Sequence, residues 1–347
     1  MSMSNLFFEY TKLFRLPGLG GLSMEPVFGA ISLISIGLYT DIIHISLLLT
    51  IGVIFSICAF VLNDYADIEV DRLSEESKKR PLVIGTISKN TALLIFFLGN
   101  ILIFIIIFSF FYRNTATFWL ALLFIVIATI LGIIYNLYGK RILGGEFFAT
   151  VAKALLVLFG AYLISPDGVL SIFTWVIFIL IFNQFLFMHA VLGSIKDADH
   201  DYLIHSKNLA LASGVKVTED KKIILPTSFK AFGIGIRMID ACIVFVPFIF
   251  FGQKYELWQM ILLILCAVVV LYLSIKLLTI KIFEGLEGAS QTMRLFAVQG
   301  VVRFSLLPVM LIPVIGFFYA FILIIFPMLW YILAMPLTGK KLFKNLM

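Results

Sequence analysis

The sequence predicts an all-α fold, a polytopic transmembrane helical bundle of nine or ten spans. Three observations lead there. The chain is 62% hydrophobic and only 13% charged, far from the make-up of a soluble domain. Apolar windows of bilayer-crossing length succeed one another along it. Lys and Arg are shared very unequally between alternate connections. No alternation of apolar and polar residues suits a lipid-facing strand, and irregular backbone cannot face lipid, so helices are the economical way across.

The windows run near 20–39, 42–62, 91–111, 117–138, 147–165, 169–192, 231–252 and 256–278. Each supplies about 20 residues, the number a helix needs to cross the hydrocarbon core. The last apolar stretch, 295–337, is too long for one helix and contains Pro308, Pro313 and Gly316. It accommodates two spans, or one span and a helix that enters partway. The expected organisation is a single membrane-embedded domain over 1–347, with 280–347 as C-terminal helices.

Orientation follows from the basic residues. With the N-terminus in the cytoplasm, the inside segments (the N-terminal tail, 64–90, 139–145, 194–230 and 276–294) carry 18 Lys and Arg, against Arg113 and Lys254 outside. The net charge of +6 reflects this bias and does not point to nucleic acid. Lys340, Lys341 and Lys344 at the C-terminus favour an even number of crossings. Cys58, Cys242 and Cys266 all fall in apolar windows without metal spacing, so they read as packing residues. The N-terminal segment has no apolar core followed by a small-residue cleavage site, so no removable signal peptide is expected.

Against this apolar background the stretch NDYADIEVDRLSEESKKRPL, residues 63–82, holds ten charged side chains. Eleven of the 20 acidic residues lie in two windows, 64–76 and 197–220, each following an even-numbered span and so on one side of the membrane. Asp64, Asp67 and Asp71 stand at i, i+3 and i+7, which places them within roughly 60° on a continuing helix. Asp197 and Asp201, at i and i+4, share a face, and Asp199 points elsewhere. Carboxylates gathered on facing helix ends repel one another unless a cation intervenes. Oxygen donors with no His or Cys at matching offsets suit magnesium, which commonly bridges carboxylates to a phosphate-bearing substrate. The plainer alternative is a set of solvated loop charges that keep these loops out of the bilayer.

These residues also carry a resemblance. NDYADIEVD resembles the NDxxDxxxD motif of the UbiA superfamily of intramembrane prenyltransferases, and RPLVIGTIS resembles the segment that follows it there. KDADHDYLIHSKNL is similar to the family's second motif, with Asp197 and Asp201 as its carboxylates and Lys207, Asn208 and Leu209 downstream. The resemblance covers about residues 10–280; beyond 280 no motif matches. It implies a ring of helices around a central cavity, capped on the cytoplasmic side by the motif loops. It also implies magnesium, a prenyl diphosphate donor, a lipophilic acceptor, and a place in isoprenoid lipid or quinone biosynthesis. The chain departs from the pattern where Lys140 follows Tyr135 by five residues, where Tyr202 stands in place of a frequent Arg, and where His205 replaces a common Gly.

An allylic diphosphate ionises when its leaving group is neutralised. The candidate catalytic and metal-binding residues are Asp64, Asp67, Asp71, Asp197 and Asp201. Candidate diphosphate ligands are Asn63, Arg15, Lys140, Lys196, Arg80 and Tyr135, with Arg80 ranked behind the other cations. Each cation has the competing reading of a loop charge that only sets topology. Glu25, Glu146, Lys153, Arg237, Asp240 and Arg303 lie inside apolar windows, where charge is costly. Arg237 and Asp240 are spaced to pair, while Lys153 and Glu146 either line the cavity or snorkel to the headgroups. His189 is either a cavity-facing base or acceptor ligand, or a hydrogen-bonded packing residue. Two other functions compete with transfer: cyclisation of the prenyl chain by a UbiA relative, and transport of a cation or phosphate, which sites at helix ends rather than at the midplane argue against.

Overall fold

The computed structural model describes residues 3–72, 77–196, 207–217, 223–279 and 285–339. Among them ten helical segments are long and apolar enough to cross a membrane: Leu16–Ile36, Ile42–Ala66, Lys89–Phe110, Ala116–Arg141, Glu146–Ile164, Ile172–Gly193, Thr227–Ile249, Leu257–Thr279, Val298–Ile315 and Phe317–Thr338. They are numbered here as the first to tenth spans. Apart from a two-residue antiparallel pairing of Lys216–Val217 with Ile223–Ile224, the described architecture is helical.

Several spans begin where the sequence supplies a cap. Asp41, Ser88, Thr115 and Ser171 each accept a bond from a backbone N–H two or three residues ahead, which satisfies a donor that the first turn leaves free. The last apolar stretch resolves into two helices divided at Gly316, whose φ of 81° is costly for a residue with a side chain. The prolines and this glycine thus produce two helices, each long and apolar enough to cross a membrane.

The bundle turns its apolar groups both ways. Leu94, Phe97, Ile101 and Ile105 on the third span, and Ile261, Leu265, Val268 and Tyr272 on the eighth, are exposed, as befits helices whose solvent is lipid. The fifth span is well enclosed, with residues 154–161 all buried. It touches the first span backbone to backbone. A Cβ on Gly29 would fall 2.0 Å from the Val157 carbonyl oxygen, and one on Gly160 would fall 2.0 Å from that of Pro26. Small residues permit this approach between helices that gain nothing from hydrophobic burial against lipid.

Polar groups tie other spans together. Asp240 on the seventh span accepts from Arg237 Nη1 at 2.8 Å, from Arg303 Nε on the ninth at 2.8 Å, and from Asn183 Nδ2 on the sixth at 2.9 Å. The expected Arg237–Asp240 pair is therefore present, but as part of a three-span network. Arg303 also donates to the Leu180 carbonyl at 2.5 Å, and the Arg237 guanidinium lies 3.8 Å from the centre of the Phe187 ring. The tenth span returns to the beginning of the chain. Trp330 Nε1 donates to the Leu16 carbonyl at 2.8 Å, and Thr11 Oγ1 donates to that of Leu337 at 2.6 Å.

Candidate active site

The second span carries the first acidic motif at its end. Helix Ile42–Ala66 stops at Asp67 and resumes as the short helix Ile68–Asp71, linked by a bond from the Asp71 amide to the Asp67 carbonyl at 2.8 Å. The interruption divides the three carboxylates between two sets of partners. Asp64 accepts from Arg15 at 2.6 Å and from Arg80 at 3.2 Å. Asp71 takes Arg80 at 2.6 Å, so one guanidinium nitrogen bridges two aspartates. Asp67 pairs with Lys140 at 2.9 Å, and Asn63 Nδ2 approaches its other oxygen at 3.3 Å. Asn63 Oδ1 in turn accepts from Arg15 at 3.1 Å.

Asn63, Arg15, Arg80 and Lys140 thus converge with all three aspartates of the first motif, from four separate segments. Arg80, ranked last among the cations from sequence, holds the central bridging position. It stands directly before the helix Pro81–Ile84, in an extended conformation that Pro81 favours. Arg15 adopts a left-handed backbone (φ 48°, ψ 43°), the only such non-glycine residue among those described. Sparsely populated backbone of this kind gathers at functional sites, and here it immediately precedes Leu16–Pro17.

The environment favours exchange of partners. The Asp64 and Asp71 side chains are 3% and 8% exposed, whereas those of Arg15, Arg80 and Lys140 are 37%, 31% and 41% exposed. Burial pushes the Asp71 carboxyl above its ordinary value, with Asp67 and Asp64 adding to the rise and Arg80 opposing it. For Arg80, burial alone would lower the guanidinium, but Asp64, Asp71 and Asp67 together hold it above the usual range. Three carboxylates face three cations, and the cations keep the solvent-accessible side.

The second acidic motif, with Asp197 and Asp201, lies outside the described residues, as does the Lys196 side chain. Its downstream edge is described. The Lys207 amide donates to the Lys140 carbonyl at 2.9 Å, and the Leu209 amide donates to Glu146 Oε1 at 2.8 Å. Asn208 caps the short helix Leu209–Ala212 through the Leu211 amide. The turn between the fourth and fifth spans therefore touches both motif regions: through the Lys140 side chain toward the first, and through two acceptors toward the second. Glu146 neither lines open space nor snorkels; it is a buried backbone acceptor. Sequence spacing gave no sign of this role.

Tyr135 donates to or accepts from His189 Nδ1 at 3.2 Å. Lys153 is also turned inward, bonding the Leu22 carbonyl at 2.5 Å, Ser56 Oγ at 2.9 Å and Glu25 at 3.3 Å.

The donor set suits magnesium. It is all oxygen, and among the described residues no three His, Cys, Asp or Glu side chains close on one point as a protein-only cage would require. Magnesium usually takes one or two carboxylates and completes its shell with water and substrate phosphate.

Comparison with known proteins decides the class. The model of the UbiA prenyltransferase family matches residues 24–283. The chain belongs to the UbiA prenyltransferase family. It is accordingly an integral membrane prenyltransferase, an enzyme that moves a prenyl group from its diphosphate to a lipophilic acceptor, and the transporter alternative falls away. Digeranylgeranylglyceryl phosphate synthase of Saccharolobus solfataricus is 24% identical over 312 residues, covering 86% of this chain and 96% of that protein. The 4-hydroxybenzoate octaprenyltransferase of Vesicomyosocius okutanii is 32% identical over 138 residues, or 40% of this chain and 47% of that one. Among solved structures, one of a digeranylgeranylglyceryl phosphate synthase aligns with TM-score 0.63 at 20% identity over 90% of this chain and all of its own. A UbiA homologue from Archaeoglobus fulgidus bound to DMAPP and Mg2+ aligns with TM-score 0.58 at 17% identity, covering 86% of this chain and 99% of that one. These structures establish the shared fold.

Proposed function

We propose that this prenyltransferase holds a polyprenyl diphosphate with magnesium at Asp64, Asp67 and Asp71 on one side and Asp197 and Asp201 on the other, and transfers the prenyl group to the hydroxyl of an isoprenyl glyceryl phosphate. The observation that carries this reading is the pairing of each first-motif carboxylate with a cation whose side chain stays about a third or more exposed. A diphosphate offers such cations a stronger partner, because guanidinium forks match phosphate oxygens. When bound, magnesium would supply Lewis-acid neutralisation of the leaving group. Arg15, Arg80 and Lys140 would then turn from the aspartates to the diphosphate, stabilise the charge that grows on it as the carbon–oxygen bond breaks, and free the carboxylates to serve as ligands. Asn63 would orient Asp67 and Arg15.

The end-to-end match with the Saccharolobus synthase supports a glyceryl phosphate acceptor. The higher identity over 138 residues to the hydroxybenzoate enzyme supports an aromatic quinone precursor as second reading. The excess of Lys and Arg in the connections at this end supports a cytoplasmic site.

The test incubates purified enzyme with magnesium, prenyl diphosphates of several lengths, and either geranylgeranylglyceryl phosphate or 4-hydroxybenzoate. Diphosphate release with a prenylated glyceryl phosphate is expected. EDTA should silence it, and added magnesium should restore it. A prenylated benzoate would establish the second reading, and turnover that survives thorough chelation would reject the metal.

A further inference from the structure

Joining a prenyl group to a hydroxyl releases a proton, and the carboxylates of the first motif are poorly placed to take it. Each is committed to cations, and their proposed work is to neutralise a leaving group. The interior of the bundle offers another group. His189 lies in a π-helical turn, Phe187–Gly193, at the end of the sixth span. Such wide turns recur at functional sites because they shift side chains off the regular helical face. The turn is fixed by Ser194 Oγ, which donates to the His189 carbonyl at 3.2 Å. Leu186, Phe187 and Ala190 around it are buried, yet His189 keeps part of its own surface open.

The place of that surface follows from its neighbours. Tyr135, which bonds His189 Nδ1, precedes by five residues the Lys140 that reaches Asp67. At about 1.5 Å of rise per residue, the backbones of Tyr135 and Lys140 stand roughly 8 Å apart along the fourth span. Phe185 stacks against the imidazole at 6.1 Å, and its ring also receives the Lys153 ammonium at 5.2 Å. Contacts from the fourth, fifth and sixth spans thus meet around the His189 imidazole. The charged and titratable groups that face it are Tyr135, Lys153 with its partner Glu25, and, across Phe187, Arg237 with Asp240. The other described histidine, His44, pairs with Asp41 at the opposite end of the second span.

We infer that His189 is the base that receives the acceptor's proton, with Tyr135 as the positioning residue that sets its tautomer. This deepens the proposed function and rests on its hydroxyl acceptor. In the required tautomer, Nδ1–H donates to the Tyr135 oxygen and Nε2 presents its lone pair. The bond between prenyl C1 and the diphosphate oxygen breaks, and its electron pair leaves with diphosphate. The acceptor oxygen supplies the pair for the new carbon–oxygen bond, and its proton passes to Nε2. The imidazolium then returns the proton to solvent once product leaves.

The test compares wild type with His189→Gln and Tyr135→Phe, using geranylgeranyl diphosphate and geranylgeranylglyceryl phosphate with magnesium. Transfer, magnesium-dependent binding of the donor, thermal unfolding and the pH dependence of kcat are measured together. His189→Gln is expected to lower kcat about 100-fold, the range of a lost general base, with donor binding within twofold of wild type and the low-pH limb of the kcat profile abolished. Tyr135→Phe should shift that limb while keeping more of the rate. Transfer above a third of wild type in His189→Gln, or an unchanged pH limb, would overturn the assignment. So would a parallel loss of donor binding and thermal stability, which would make His189 structural. If wild type itself released no diphosphate, the underlying transferase reading would fail with it.

Discussion

The molecule uses the same chemistry, carboxylates held by guanidinium groups, at two places with opposite consequences. At the acidic end, Asp64 and Asp71 share Arg80 while Arg15, Arg80 and Lys140 remain about a third or more exposed. In the middle of the bundle, Asp240 holds Arg237 and Arg303, and all three side chains are at most 1% exposed. Cations of the first group can release a carboxylate and find another anion without entering lipid. Those of the second have nowhere to go, because an unpaired charge in the bilayer core is expensive. Access, rather than the identity of the ion pair, separates a site from a fastening.

The sharpest way to break this contrast is Asp240→Ala. It strands two buried cations and should cost about 3–5 kcal/mol, seen as a large fall in thermal unfolding temperature or loss of folded protein. A variant that stayed stable but lost turnover would place the network in the reaction. Asp67→Ala addresses the other region: turnover should fall by about 100-fold or more while the unfolding transition stays near wild type, as measured by diphosphate release and calorimetry. Wild-type activity would remove Asp67 from the site. A finer probe is Arg80→Lys, which keeps the charge and loses the fork. It should raise the donor KM about 10-fold, the equivalent of one charge-assisted hydrogen bond. No change in KM would show that Arg80 stays with the aspartates throughout.

Much of this architecture can be read from the residues, because the bilayer imposes a length on every crossing. The helix windows fell close to the observed spans, and the first acidic motif assembled with Asn63, Arg15, Arg80 and Lys140, four of the six residues singled out as candidate diphosphate ligands. Arg80 shows where that reading weakens: a charge in a connection acquires its importance from the direction in which Pro81 sends the chain. The pairings of Tyr135 with His189, Glu25 with Lys153, Arg303 with Asp240 and Leu209 with Glu146 join distant segments. Periodicity assigns a side chain to a face, but it carries no information about which helix that face will meet.

The contacts of Trp330 with the Leu16 carbonyl and of Leu337 with Thr11 link residues 314 and 326 positions apart. They fasten the segment that presents Arg15 to the tenth span, far away in the sequence. Loss of those contacts would therefore leave Arg15, the partner of Asp64, on an unfastened edge.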